Sequence, residues 1–83
     1  MKITVRYFAA VREATGVSSE SLQTDALTLG ALRDSLCATS ARHAEGLARS
    51  RLLRVARNQE MCDESEALSD GDEIAFFPPV TGG

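Results

Sequence analysis

The sequence has 83 residues, of which 43% are hydrophobic and 25% are charged, and its formal net charge is −3. This length and mixture indicate one small globular domain and exclude a disordered chain. The negative net charge argues against binding to the phosphate backbone of a nucleic acid, and no apolar run approaches the roughly 18 residues of a membrane span.

The first residues alternate between polar and apolar and do not form the apolar centre of an export signal. We therefore expect the chain to be cytoplasmic, with Cys37 and Cys62 both reduced. Even together with His43, they are fewer than the ligands of a structural zinc site or an iron–sulfur cluster. We expect no bound metal or cofactor, and we interpret both cysteines as small buried hydrophobic residues.

The first third of the chain predicts strand, helix and strand. Residues 2–8 alternate with period two, which predicts a half-buried strand. Its apolar face consists of Ile3, Val5 and Tyr7. Residues 9–15 are mostly good helix formers followed by Gly16, so a short helix that ends at this glycine is predicted. Residues 17–23 are polar and rich in serine, which is typical of an edge strand.

The main helix is predicted to begin after Thr28, whose hydroxyl can cap its N-terminus, and to reach about Arg42. Apolar residues recur at i, i+3 and i+7, as in an amphipathic helix, and Arg33 and Asp34 are predicted to face away from them. This apolar stripe consists of Leu29, Leu32 and Leu36. Residues 43–50 have poor periodicity and are interpreted as a loop or a frayed helical turn, which makes His43 a surface loop residue.

Two short strands are predicted next. Residues 52–57 are apolar and β-branched enough for a strand, and residues 60–62 are interpreted as the returning strand. Asn58 and Gln59 lie between them as a candidate turn. The following stretch, residues 63–68, is acidic and irregular.

A turn at residues 69–72 is predicted because Gly71 can adopt a positive φ, and residues 73–77 alternate as a final strand. One sheet with a main helix across one face is an α+β fold. We therefore assign residues 1–77 to the domain and residues 78–83 to a C-terminal tail.

This tail has the sequence PPVTGG. Pro78 and Pro79 cannot donate ladder hydrogen bonds, so they end the strand and favour an extended projection. Gly82 and Gly83 carry no side chains, and six residues can reach roughly 20 Å from the domain. Such a tail can deliver its carboxylate into a narrow channel, where adenylation would activate it for conversion to a thiocarboxylate. The alternative interpretation is an ordinary frayed terminus.

Three segments resemble those of one known family, the small subunits of molybdopterin synthase. They are LSDGDEIAFFPPVTGG at residues 68–83, VRYFAAVRE at residues 5–13 and LGALR at residues 29–33. The resemblance runs in order along essentially the whole chain, and its C-terminal block is the most specific part. It implies a ubiquitin-like β-grasp fold and the role of a sulfur carrier.

The resemblance also implies a mechanism and partners. Gly83 would be adenylated by an activating enzyme related to ubiquitin E1, which uses ATP, and then converted to a thiocarboxylate. The tail, including Gly82, would enter the active site of a large subunit, in a heterotetramer with two copies of each subunit. Two sulfurs would be delivered in turn to cyclic pyranopterin monophosphate, which yields the dithiolene of molybdopterin. The catalytic pocket is expected on the large subunit.

Several residues near the tail are predicted to contact a protein partner. Phe8 and Phe77 occupy the polar side of their strands, so exposed aromatic rings are expected beside the tail. The predicted contact residues are Phe8, Met61, Phe77, Pro78, Pro79, Val80 and Thr81. The alternative is that Phe8 and Phe77 cover a second small cluster within the domain. One histidine, one lysine and no recognisable carboxylate pair are poor material for general acid–base catalysis.

Charge is unevenly distributed along the sequence. Basic residues precede Asn58, namely Arg42, Arg49, Arg51, Arg54 and Arg57, and acidic residues follow it. A solvated face is one interpretation, and electrostatic steering towards a partner is the other. Arg57 departs from the resemblance, because relatives usually carry a small apolar residue before the asparagine, and this puts the inward register of that strand in question.

Three alternatives to a molybdopterin synthase subunit stay open at this point. One is a sulfur carrier of another pathway, such as thiamine or cysteine synthesis. The second is a ubiquitin-like modifier that forms amide bonds to lysines of other proteins, since Lys2 as the only lysine disfavours chain building. The third is a β-grasp interaction module with an inert tail.

Overall fold

A computed structural model of the protein describes residues 1–79. Along these residues lie five strands and three helices: β1 Lys2–Tyr7, α1 Ala9–Thr15, β2 Ser19–Gln23, α2 Leu29–Cys37, α3 Ala41–Leu47, β3 Arg54–Arg57, β4 Glu60–Cys62 and β5 Glu73–Phe77. The predictions for Val80, Thr81, Gly82 and Gly83 fall outside the described residues.

The strands form one mixed sheet in the order β2-β1-β5-β3-β4. β1 and β5 are parallel, and the other neighbours are antiparallel. The inner face of this sheet packs against the helices, which confirms the α+β prediction. The core consists of Ile3, Val5, Tyr7, Val11, Leu29, Leu32, Leu36, Leu47, Val55, Leu68, Ile74 and Phe76.

Single residues at the ends of helices and in a turn have the conformations and contacts predicted for them. Gly16 takes a left-handed φ of 83° after α1, and its N–H donates to the Arg12 carbonyl at 2.9 Å. The Thr28 hydroxyl accepts from the Ala31 N–H at 3.1 Å and caps α2. Gly71 has a φ of 86° in the turn before β5.

Asn58 joins the β3–β4 hairpin to the start of β5. Asn58 and Gln59 both have positive φ, 52° and 70°, which matches the tight turn that fits the right-handed twist of paired strands. The Asn58 side chain accepts from the Glu73 N–H and donates to Asp72, each at 2.9 Å. This anchors the strand that leads into the tail.

The helical region differs from the prediction. α2 ends at Cys37 instead of about Arg42, and α3 lies where a loop or frayed turn was expected. The Ser40 hydroxyl accepts from the His43 N–H at 3.1 Å and caps α3. α3 approaches α1 closely at Gly46, where an added Cβ would lie 3.2 Å from the Cβ of Ala14. A helix is therefore favoured by this long-range packing, which periodicity does not report.

Arg33 does not face away from the core, as predicted, but is 3% exposed. Its guanidinium donates to the carbonyls of Leu47, Ala48 and Arg51 at 2.6–2.9 Å and to the Glu64 carboxylate at 2.7 Å. These contacts hold the end of α3 and the chain after it against α2. Asp34 is exposed, as predicted.

We expect Arg33→Ala to lower the free energy of unfolding by about 3 kcal/mol, because it removes a buried cation and leaves its acceptors unpaired. Urea unfolding followed by circular dichroism measures this. Arg12→Ala, at an exposed position of α1, is the matched control and should change stability by less than about 0.5 kcal/mol. Equal urea midpoints for the two variants would contradict this role of Arg33.

The two cysteines are less buried than predicted. Cys37 and Cys62 are free and half-buried, not fully buried, and pack against the core. Burial raises the pKa of both thiols.

β3 begins at Arg54 and not at residue 52. Arg57 keeps the register of β3, since it pairs with Ile74 while its guanidinium reaches out to the Ala67 carbonyl at 2.7 Å.

Candidate functional site

The outer face of the sheet carries an apolar surface where β5 leads into the tail. We call it the tail-root patch, and it consists of Phe8, Ala56, Met61, Ala75, Phe77, Pro78 and Pro79, which line one open groove. The patch brings together all the described residues that the sequence predicted as partner contacts. Ala56 and Ala75 were not among them.

The strand register explains the shape of the patch. Ala75 of β5 pairs with Ala56 of β3, and Ala56 pairs with Met61 of β4, so these residues lie in one row across the sheet. Two alanines in the middle leave a shallow floor. Phe8 and Phe77 stand at the end of this floor where the tail leaves. The result is a groove with small residues at its base and large apolar residues at its sides.

Phe8 and Phe77 contact each other edge to face, with ring centroids 6.4 Å apart and an interplanar angle of 90°. The Phe8 N–H donates to the Phe76 carbonyl at 3.2 Å, which fixes Phe8 beside the last strand. Ala9, the next residue, has a left-handed φ of 51°, a conformation that costs a non-glycine residue about 1 kcal/mol. This turn sends the chain into α1 and leaves Phe8 on the outer face.

The large apolar side chains of the patch are accessible, whereas Ala56 at its floor is buried. Met61 is 54% exposed and Phe8 is 39% exposed, while Phe77, Pro78 and Pro79 are half-buried. A cluster of this kind on a small chain is typical of a protein–protein contact. Phe8 and Phe77 do cover one another, as the alternative interpretation required, but much of Phe8 stays open to solvent.

His43 belongs to a different place from the loop surface predicted for it. It lies in α3 with its side chain 12% exposed, and its Nε2 is 2.7 Å from the Glu20 carboxylate. The Tyr7 hydroxyl donates to the same carboxylate oxygen at 2.7 Å, and the His43 Nδ1 lies 2.7 Å from the Ser40 hydroxyl. This cluster ties β1, β2 and α3 together on the inner side of the sheet, away from the tail-root patch.

The cluster shifts two pKa values in opposite directions. Burial would raise the pKa of Glu20, but hydrogen bonds from His43 and Tyr7 outweigh burial and lower it. Burial raises the pKa of Tyr7, and the neighbouring carboxylate raises it further. Because its polar groups already satisfy one another, the cluster is a structural link and not an open acid–base site.

The two charged segments of the sequence pair with each other only in part. Arg49 forms ion pairs with Asp34, at 2.9 Å, and with Glu64, and Arg57 faces Glu66 at 3.7 Å. Burial would raise the pKa of Glu64, yet hydrogen bonds from Arg49 and Arg33 lower it. Arg33, Arg49 and Arg57 are therefore engaged within the domain, whereas Arg54 forms no ion pair within residues 1–79.

Within residues 1–79, no group of three or more histidine, cysteine, aspartate or glutamate side chains is arranged to hold a metal ion. Over the same residues, every helix is too short or too polar to cross a membrane.

Comparison with known proteins identifies the family of this chain. The model of the ThiS family matches residues 5–83. The molybdopterin synthase sulfur carrier subunit of Escherichia coli (strain K12) is 46% identical over 81 residues, which cover 98% of this chain and 99% of that protein. The sulfur carrier subunit of molybdopterin synthase from Haemophilus influenzae is 43% identical over the same shares of both chains.

Solved structures show the same architecture. SAMP1 from Haloferax volcanii is 29% identical with a TM-score of 0.77, and the match covers 100% of both chains. A chain from the complex of subunits 1 and 2 of molybdopterin-converting factor of Helicobacter pylori is 30% identical with a TM-score of 0.67, again over 100% of both chains. The ubiquitin-like β-grasp prediction is confirmed, and the chain belongs to the ThiS family, alongside the sulfur carrier subunits of molybdopterin synthase.

Proposed function

We propose that this chain is the sulfur carrier subunit of molybdopterin synthase and that it donates sulfur from its C-terminal residue, Gly83. The observation that carries the proposal is the 46% identity to a molybdopterin synthase sulfur carrier subunit over nearly the full length of both chains. The tail-root patch supports it, because a carrier must present its tail to a partner that binds the body of the domain.

The chemistry begins at the Gly83 carboxylate, which is a weak electrophile. An E1-like activating enzyme uses ATP to form the acyl adenylate, with release of pyrophosphate. A sulfur donor then displaces AMP and leaves a thiocarboxylate. Its sulfur is a polarisable nucleophile that is ionised at neutral pH. Transfer of two such sulfurs, one after the other, to cyclic pyranopterin monophosphate gives the dithiolene, and each spent carrier returns to a carboxylate by hydrolysis.

The proposal divides the work between two subunits. The titratable groups around Glu20 and those around Glu64 are engaged with one another within the fold. We propose that the catalytic pocket lies on the large subunit, with Gly82 and Thr81 in the channel and Val80 at its entrance. We further propose a heterotetramer with two copies of each subunit in the cytoplasm. This chain then needs no cofactor of its own.

The tail-root patch is the proposed contact with the large subunit. Phe8, Met61 and Phe77 would form its centre, and Pro78 and Pro79 would continue it towards the channel. A complex of subunits 1 and 2 of molybdopterin-converting factor exists for the Helicobacter pylori relative, which supports a two-subunit assembly here.

Intact mass tests the proposal. We expect the chain, incubated with its activating enzyme, ATP and a sulfur source, to gain the mass difference between oxygen and sulfur at Gly83. Incubation without ATP is the control and should leave the mass unchanged. Addition of the large subunit and the pterin precursor should then return the chain to its original mass. A carrier that never gains sulfur under these conditions would contradict the proposal.

A protein modifier is the second candidate, favoured by the likeness to SAMP1, the small archaeal modifier protein 1 of Haloferax volcanii. A modifier would appear in the same experiment, performed in a cell extract, as conjugates of higher mass. Sulfur carriers for cysteine or thiamine synthesis are separated by the acceptor, since they would gain sulfur but fail to convert the pterin precursor.

A further inference from the structure

Two arginines beside the tail-root patch make no ion pair within residues 1–79. Arg54 and Arg6 are both exposed on the outer face of the sheet. Arg54 pairs directly with Phe77 across β3 and β5, and the Arg6 guanidinium lies 5.4 Å from the centre of the Phe8 ring. Arg33, Arg49 and Arg57, in contrast, all have carboxylate partners.

Arg6 and Arg54 lie on either side of the strand that leads into the tail. Arg6 of β1 pairs with Ala75, in the middle of β5, and Arg54 of the antiparallel β3 pairs with Phe77, its last residue. The acidic residue that lines the patch, Glu73, lies at the opposite end of β5, beside Thr4. A second groove places Arg54 near three acidic residues, Asp63, Glu64 and Glu66, but none of them forms an ion pair with it.

A partner that takes the end of the chain must cover this region. Four residues follow Pro79, and four extended residues span at most about 14 Å. A pocket that receives Gly83 therefore lies close enough for its protein to rest on the tail-root patch. Contact there would remove water from the two guanidinium groups, which is unfavourable unless the partner supplies carboxylates or comparable acceptors.

We propose that the surface of the large subunit facing the tail-root patch has an apolar centre and two carboxylates, one opposite Arg6 and one opposite Arg54. This inference rests on the proposed function and specifies the partner's chemistry. The two arginines steer the carrier onto the large subunit, although the net charge of the carrier is negative. They act at the rim of the contact, and the aromatic residues supply its centre.

The test is the association rate of the full-length carrier with the large subunit of molybdopterin synthase from the same organism, measured by surface plasmon resonance across a range of salt concentrations. We expect Arg6→Gln combined with Arg54→Gln to slow association about tenfold at low salt and to lose this difference at high salt. Arg6→Lys combined with Arg54→Lys, which keeps both charges, should restore most of the rate.

Arg12→Gln combined with Arg42→Gln is the matched control, because it removes two charges from exposed positions outside the patch. Its association rate should differ from that of the unmodified chain by less than about twofold. If the glutamine double variant had the same association rate as this control at every salt concentration, the inference would be overturned. The proposed role as a sulfur carrier would be unaffected by that result. If the glutamine double variant associated more slowly with the activating enzyme but not with the large subunit, the inference would also be overturned, because the patch would then bind a different partner. Failure of the unmodified carrier to bind the large subunit would remove the proposed function and the inference together.

Discussion

Deletion of Gly83 is expected to reduce conversion of the pterin precursor at least about 100-fold. The shortened chain still ends in a carboxylate, but that group is displaced by one residue, about 3.5 Å along an extended backbone. Neither the activating enzyme nor the large subunit could then hold it at its reacting groups. Molybdopterin formation in a reconstituted reaction measures the effect.

An alanine appended after Gly83 should be equally damaging, because it moves the carboxylate outward and adds a side chain at the tip. Both variants should keep the thermal unfolding midpoint of the unmodified chain, since the core lies within residues 1–79. Asp25→Asn, at an exposed position after β2, is the control and should retain full activity. If the chain with an appended alanine still supports full conversion without being trimmed, the terminal carboxylate cannot be the sulfur-carrying group.

Much of the fold could be predicted because its strands alternate cleanly and its turns carry specific residues. The inward position of Tyr7 and the outward position of Phe8 follow from a period of two. The turns at Asn58 and Gly71 follow from residues that tolerate positive φ. The order of the strands is not contained in these local patterns, so the parallel pairing of β1 with β5 is known only from the structure.

The helical region was harder because its stabilising contacts are distant in sequence. α3 has few apolar residues and contains Gly46, which lowers intrinsic helix propensity, yet that glycine permits close packing on α1. Arg33 lies four residues after Leu29, so its position on the buried face was available from helical spacing. Its acceptors, the carbonyls after α3, could not be foreseen without the tertiary structure.

The tail-root patch was predictable in part. Alternation places Phe8 and Phe77 on the face away from the core. Met61 was predicted together with them, but only its pairing with Ala56 explains its place in the patch. The contact between the two rings and the alanine floor depends on the strand register. The position of Arg54 also depends on the strand register. In the sequence Arg54 belongs to a group of arginines, but in the structure it lies opposite Phe77, whereas Arg49 and Arg57 form ion pairs.

Phe77→Asp is expected to weaken binding of the large subunit at least about thirtyfold, equivalent to 2 kcal/mol or more for a central contact residue. The substitution places a carboxylate in an apolar contact and removes the ring that packs against Phe8. Met61→Asp should have a similar effect, and because Met61 is 54% exposed, it tests binding with little effect on folding. Size-exclusion chromatography of the mixed subunits measures complex formation.

Leu27→Asp is the matched control for both substitutions. Leu27 is 74% exposed and lies outside the tail-root patch, so it undergoes the same chemical change without entering the proposed contact. We expect this variant to elute with the large subunit as the unmodified chain does. A complex that survives both Phe77→Asp and Met61→Asp would show that the large subunit binds another surface, because a desolvated carboxylate cannot be accommodated at the centre of an apolar interface without a partner.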